Sequence, residues 1–260
     1  MTAAEQDIPQ LDIPELAESG SVADERERRK RELAITFRLF ARYGYDEGIA
    51  GHVTARDPEF ADRFWVNPYA LHFSRIKVSD LLLIDEQGHV VEGSRRTNKA
   101  AFWIHSSIHR ARPDVVAVAH AHTIHGRAFS SLSKPLAPIV QESCAFHDDH
   151  VVFDEYKGLV LEQSEGERIA ERLGGRRAAI LRHHGLLTVG RSVAEAAWWF
   201  ITMDRACQMQ LLAEAAGTPR VMTDDEVALA HRQFSNATMA RHNFALLADL
   251  VVEQEADVLD

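Results

Sequence analysis

Cysteine is scarce in this 260-residue chain: Cys144 and Cys207 are the only two. That is too few for a disulfide framework, and reduced thiols are the simpler expectation. Neither stands in a C-x-x-C spacing, so buried, inert thiols are expected. Long apolar runs are missing as well. None approaches the ~20 residues that a bilayer-spanning helix needs. The first ten residues, MTAAEQDIPQ, place acids where a secretory signal needs a basic start and an apolar core. A cytoplasmic protein with no membrane partner is expected. Positive charge is also short: 29 Lys and Arg against 39 Asp and Glu leave a formal net charge of −10, which repels nucleic acid on average. The one basic run, ERERRKR (25–31), mixes signs and reads as a solvated helix face. No G-x-S-x-G elbow, P-loop or G-x-G-x-x-G fingerprint occurs, so serine hydrolase, NTPase and dinucleotide-dependent activities have no local support.

What is present is an ordinary globular composition, 46% hydrophobic and 26% charged, long enough for one sizeable core. Residues 1–23, rich in Asp, Glu, Ser and Pro, predict a flexible arm. The main domain is expected over 24–222, followed by a helical extension over 223–260 that contacts a neighbouring subunit. A helix from about Asp24 carries Leu33, Phe37 and Phe40 on one stripe and ends near Gly44. GHVTARD and FWVNP predict strands, and LLLIDEQGHVVEG a hairpin turning at Gly88. NKAAFWIHSSIHRARPD predicts a helix stopped before Pro113. AAILRHHGLLTVG predicts a strand pair, after the short helix GERIAERLGG. Ser192 and Glu195 predict a capping box for a long helix ending at Gly217. Helices and strands alternate without repeats, which points to one α/β domain with a central sheet covered by helices.

The segment VVAVAHAHTIHG (115–126) places His120 and His122 two apart in an otherwise apolar strand. Alternation puts both imidazoles on one face, where they can share an ion about 2.0–2.1 Å away. A hydrogen-bonded core histidine beside a strand-end one explains this segment equally well by itself. A second apolar strand, ILRHHGLL (180–187), ends in His183, His184 and Gly185, and the glycine permits a turn that aims an imidazole back. Three protein ligands leave an open position on the metal, the arrangement of a catalytic site.

These two segments, with the R-P-D that precedes the first, resemble the class II aldolase/adducin family over roughly residues 28–217. The resemblance implies a three-layer α/β/α domain with a central, mainly antiparallel or mixed sheet. It also implies a homotetramer with sites at subunit interfaces and a small-molecule substrate. It carries the metal ligands onto His120, His122 and His184, with His184 preferred to His183. Zinc is the first expectation for the ion, with ferrous iron or manganese as alternatives.

The chain departs from the sugar-phosphate aldolases of that family in a consistent direction. Their acidic base falls at Ala101, their phosphate-binding serines at Lys99 and Ala100, and their early asparagine at His52. Their threonine–glycine pair falls at Tyr69 and Ala70, and a proton-donating tyrosine near Gln141. A methyl group neither takes a proton nor coordinates a cation. An unphosphorylated substrate and a different proton carrier are therefore expected. His105, one turn after Ala101 on the same helix face, is the candidate; His52, His125 and His147 are weaker ones.

The leading expectation is metal-dependent, lyase-type carbon–carbon bond chemistry on a carbonyl-bearing molecule. The runner-up is a non-haem iron oxygenase/decarboxylase acting on an aromatic 2-oxoacid. The chain resembles the aminocoumarin-pathway oxygenase/decarboxylases in FRLFARYGYDEGIAGHVTARDPE, FWVNP and the long helix. A non-catalytic, adducin-like interaction module is the alternative of another class. Phe64, Trp65, Tyr69 and Phe73 would suit an aromatic pocket, although at least half are expected simply to pack the core. FHDDH (146–150) reads as a polar loop near the pocket mouth, and His231 and His242 as helix-surface histidines. Trp198, Trp199 and Phe200 are consecutive and cannot all face one core, so another element or subunit should cover at least one.

Overall fold

A computed structural model describes residues 20–97, 99–158, 160 and 162–260. The expected arm lies outside them as far as residue 19, as do the side chains at 99–101, including the critical position 101. Helix α1 (Val22–Arg42) opens on Ser21, whose side chain accepts a hydrogen bond from the Asp24 backbone N–H, two residues earlier than the sequence pattern suggested. Eight strands follow in one sheet: β1 (His52–Arg56), β2 (Phe64–Val66), β3 (Leu82–Ile84), β4 (Val90–Glu92), β5 (Ala117–Ala121), β6 (His150–Phe153), β7 (Ala178–Leu181) and β8 (Gly185–Gly190). Their spatial order is β4-β3-β2-β1-β5-β8-β7-β6. Every neighbouring pair is antiparallel except β6 with β7, so the sheet is mixed.

Helices α2 (Lys99–Ala111) and α4 (Gln163–Leu173) cover one face; α1, α3 (Ile124–Ser130), α5 (Val193–Ala216) and α7 (Ala237–Gln254) cover the other. Strand alternation sorts the residues between them. Val53, Ala55, Ala117, Ala119 and Ala121 join Phe37, Phe40 and Phe200 in the large core under α1 and α5. Val118, Leu187 and Val189 join Ile104 and Ile108 under α2 and α4. This is a three-layer α/β/α fold. Alpha2 and α4 touch closely at Gly166, where an added Cβ would lie 2.2 Å from the Trp103 carbonyl oxygen. Glycine is the one residue that permits this crossing.

Ser192 accepts from the Glu195 N–H as expected, but the Glu195 carboxylate turns to the Arg191 N–H instead of closing the box. Phe200 packs tilted against Phe40 and edge-to-face against Tyr45, Trp199 packs against Phe146 and under Arg177, and Trp198 rests half-buried on the main core. All three are covered within the chain, so this trio calls for no neighbouring subunit. Beyond α5, α6 (Asp224–Phe234) and α7 are separated at Ser235 and Asn236, the latter capping α7. Val251 and Val258 enter the main core, and buried Arg38 of α1 reaches Glu255 and Asp257 at 2.9 Å each. No helix among the described residues is long and apolar enough to cross a membrane.

Candidate metal centre

Strand β5 ends at Ala121, one residue before His122, yet the chain leaves the sheet with both histidines still on the α2 side. Across the sheet, the turn between β7 and β8 returns His184 to the same point. His120, His122 and His184 each offer a ring nitrogen, and these three atoms lie within 4.8 Å of one another. The ring centroids are 5.0 Å (His120–His122), 4.7 Å (His120–His184) and 4.9 Å (His122–His184) apart. Imidazoles bound to one zinc at about 2.0–2.1 Å place their centroids about 4.5–5.2 Å apart for bond angles of roughly 90–110°. The donor set therefore fits a single divalent ion.

The turn places His184, rather than His183, beside the histidine pair. His183 takes a left-handed backbone (φ 56°) and sends its ring to Tyr156, while His184 faces β5. Gly185 has φ 151°, and a Cβ there would sit 3.3 Å from the Ala121 carbonyl and 3.8 Å from His120 Cε1. His120 donates from Nδ1 to the Leu186 carbonyl at 2.8 Å, which leaves Nε2 bare for a ligand role. Burial holds all three rings neutral. His120 is driven well below the usual histidine range, and His184 is pushed down to about 4, with His122 adding to the effect of burial. His122 is lowered by burial and then by the Arg127 cation, which pairs with Glu47. Neutral imidazoles are the form that binds metal.

A second histidine group adjoins the first. His52 of β1 is the register partner of His120, with ring centroids 5.1 Å apart, and His105 of α2 packs on His52 at 4.1 Å. Among the described residues, neither ring nitrogen of His52 has a hydrogen-bond partner, nor does Nε2 of His105. His105 Nδ1 lies 2.8 Å from Thr54 Oγ1, which also meets His109 Nε2 at 2.9 Å. The sequence reading missed Thr54 and His109. The signal was there: His105 and His109 are four apart on one helix, and Thr54 is two from His52 on one strand.

His125 turns instead toward Asp204 of α5, at 3.4 Å, and His147 is half-exposed beside Asp148. In FHDDH, Asp149 binds Arg177, and His150 bridges the Phe146 carbonyl and the Leu136 N–H, so both serve the fold. His231 holds the Cys144 carbonyl. Both cysteines are buried, as expected. The proposed aromatic pocket divides between the two faces. Phe64 lines a narrow crevice with Thr54, Val66, Ile84, Thr97, Phe102 and His105. Trp65 and Phe73 face the opposite core, and Tyr69 is exposed; period-two alternation in β2 makes it impossible for Phe64 and Trp65 to share a pocket.

A family model described as class II aldolase and adducin N-terminal domain matches residues 31–211. Over 238 residues the chain is 44% identical to the decarboxylase NovR of Streptomyces niveus, covering 91% of this chain and 88% of that protein. It is equally similar, at 44% over 238 residues, to a 4-hydroxy-3-prenylphenylpyruvate oxygenase/4-hydroxy-3-prenylbenzoate synthase of Streptomyces roseochromogenus, covering 91% of this chain and 86% of the relative. Among solved structures, an L-fuculose 1-phosphate aldolase from Glaciozyma antarctica superposes with a TM-score of 0.88 at 37% identity, covering 94% of this chain and 97% of that one. Family match, relatives and sheet agree along most of the length, and the chain belongs to the class II aldolase/adducin family.

Proposed function

We propose that His120, His122 and His184 hold one divalent ion, zinc first and ferrous iron or manganese as alternatives. On this reading the chain is an enzyme of carbon–carbon bond chemistry acting on a carbonyl-bearing, unphosphorylated small molecule. The observation that carries this is the convergence of three neutral imidazoles from β5 and the β7–β8 turn on one point. When bound, the ion would polarise a carbonyl or carboxylate oxygen. The chain's own groups do the rest. The Leu186 carbonyl fixes the orientation of the His120 ring. We assign proton handling in place of the missing carboxylate to His105, whose neighbour His52 adjoins the triad.

Substrate preference follows from the surroundings. Ala70 keeps a left-handed backbone, φ 60°, where the sugar-phosphate aldolases have glycine, but their neighbouring threonine, with its short hydroxyl, is replaced by the longer, exposed Tyr69. The narrow crevice beside Thr54 and His105 is walled by Phe64, Val66, Ile84 and Phe102, so the surroundings of His105 are apolar. We assign decarboxylation or related cleavage of an aromatic 2-oxoacid as the leading candidate, in keeping with the names of the two relatives at 44% identity. One of those names includes an oxygenase, which supports an iron-dependent oxidative version as the second reading. A homotetramer with sites at subunit interfaces is proposed from family likeness.

The test is elemental analysis after anaerobic purification, followed by carbon dioxide and oxygen measurements with aromatic 2-oxoacids. Carbon dioxide without oxygen uptake supports the lyase, and coupled oxygen uptake supports the oxygenase. A protein that takes up no zinc, iron or manganese after reconstitution would overturn the enzyme reading in favour of an interaction module, a possibility raised by the 34% identity to mouse alpha-adducin over 82% of this chain.

A further inference from the structure

Two chain segments leave the triad, one after His122 and one after His184, and a single side chain lies against both. Arg127 stands on α3, and its Nε donates at 3.3 Å to the carbonyl of Thr123, the residue directly after His122. Its stem lies against the β7–β8 turn. A Cβ on Gly185 would sit 4.0 Å from Arg127 Cγ and 3.8 Å from His120 Cε1. With glycine at 185 there is no side chain at that point to part them. The charge of Arg127 is felt at His122, where it adds to burial in lowering the pKa.

The guanidinium ends on Glu47, in the loop between α1 and β1. That loop is pressed against the end of β5. Gly51 has φ 88°, and a Cβ there would lie 3.2 Å from Ala121 Cα and 3.3 Å from the His120 carbonyl oxygen. The preceding acid, Asp46, turns to His72 Nε2 at 2.9 Å, so Glu47 is the acid this loop gives to Arg127. The two side chains are 39% (Arg127) and 54% (Glu47) exposed. A pair so open to water is weak, whereas the planar fork of a guanidinium matches any carboxylate presented to it. The pair therefore marks a carboxylate position, filled by a residue of the chain and exchanged at little cost.

We propose that Arg127 is the carboxylate receptor of the site: the carboxylate of an organic acid replaces Glu47 on the guanidinium, leaving the rest of the molecule beside the triad. The inference rests on the proposed metal centre. Glu47 is then a competitor that keeps the cation matched until the acid arrives. Because the resident occupant is itself a carboxylate, a like group is favoured over phosphate. A dianion would meet Glu47 with one guanidinium to offset both. The arrangement selects acids over neutral molecules of equal shape. The sign of one substitution separates this role from a structural one. If the pair merely tied α3 to the loop, loss of either partner would harm the site alike; if Glu47 competes, its loss helps binding.

The test is calorimetric binding of two probes to zinc-loaded protein: phenyllactate, an unreactive aromatic acid, and the matching neutral alcohol with a methyl group in place of the carboxylate. Arg127→Met should weaken the acid about tenfold or more and leave the alcohol unchanged. Arg127→Lys, which keeps the charge but not the fork, should fall between. Glu47→Gln should tighten the acid about two- to fivefold. Acid binding unchanged or weaker in Glu47→Gln, unchanged in Arg127→Met, lost equally for acid and alcohol, or undetectable in the zinc-loaded wild type would each overturn the proposal. Zinc content of every sample, by elemental analysis, reports separately on the triad. Full zinc with acid binding indifferent to Arg127 removes the receptor and leaves the metal centre; protein that takes up no zinc removes both.

Discussion

The two faces of one sheet make unlike use of the same strands. Under α1 and α5, β1 and β5 present Val53, Ala55, Ala117, Ala119 and Ala121, small apolar residues that let the helices approach and bury large aromatics. Under α2, the alternate residues of those strands include His52, Thr54 and His120 beside apolar Val118. One face gains stability by removing apolar surface from water, about 1.5–3 kcal/mol per large side chain. The other buries imidazoles with unmatched nitrogens, which costs stability unless something pairs them. The stable face can carry the costly one because they share a backbone. Stability and chemistry are thus separated by a half-turn of a strand rather than by distance.

Substitutions on each face should separate these roles. The largest effect is expected from Phe200→Ala, which removes a fully buried ring packed against Phe40 and Tyr45; a loss of about 3–5 kcal/mol in urea unfolding is expected. A similar loss of metal-free stability from His122→Ala would break the division of labour. Instead His122→Ala should abolish bound metal, by elemental analysis, with the fold intact by circular dichroism. Stoichiometric metal in that variant would remove His122 from the ligand set.

Acid should act through the histidine face. His109 is held to about 3 in the fold against 6.5 in the free chain, so the unfolded state binds the extra proton. Its contribution is complete above pH 6.5 and is lost as pH falls from 6.5 toward about 3, at about 1.4 kcal/mol per pH unit. Urea midpoints measured at pH 7 and 5.5 should fall less steeply for metal-free His109→Gln than for wild type; equal slopes would refute the assignment. Thr54→Val should cost about 1–3 kcal/mol by stranding two buried rings, and a neutral result would show those rings re-paired. The smallest effect is expected from Ala101→Glu. Alone it should give no detectable cleavage of fuculose 1-phosphate, because the serine positions are Lys99 and Ala100 and the threonine position is the bulkier Tyr69.

Much of the site was legible along the chain because its parts obey local rules. His120 and His122 share a face by strand alternation, and a glycine after His184 marks the turn that brings it back. The choice of His184 over His183 was not legible from the residues: both precede the glycine, and the left-handed φ of His183 decides which ring points inward. His52 looked like a weak candidate because its importance comes from register with His120, a pairing across strands distant in sequence. Thr54 and His109 were passed over for the same reason. The aromatic quartet failed where it ignored alternation, since Phe64 and Trp65 are neighbours on one strand.

From residue order alone came the alternation of helices and strands, the caps at Ser192 and Gly217, the histidine pairs and the departures at Ala101, Tyr69 and Ala70. These depend on periodicity, turn chemistry and side-chain identity, which act over a few residues. Tertiary structure decided the strand order, the one parallel pair, the meeting of His184 with β5 and the placing of Thr54 between His105 and His109. Those require segments far apart in the chain to be brought into hydrogen-bond and ring contact, and no local preference carries that information.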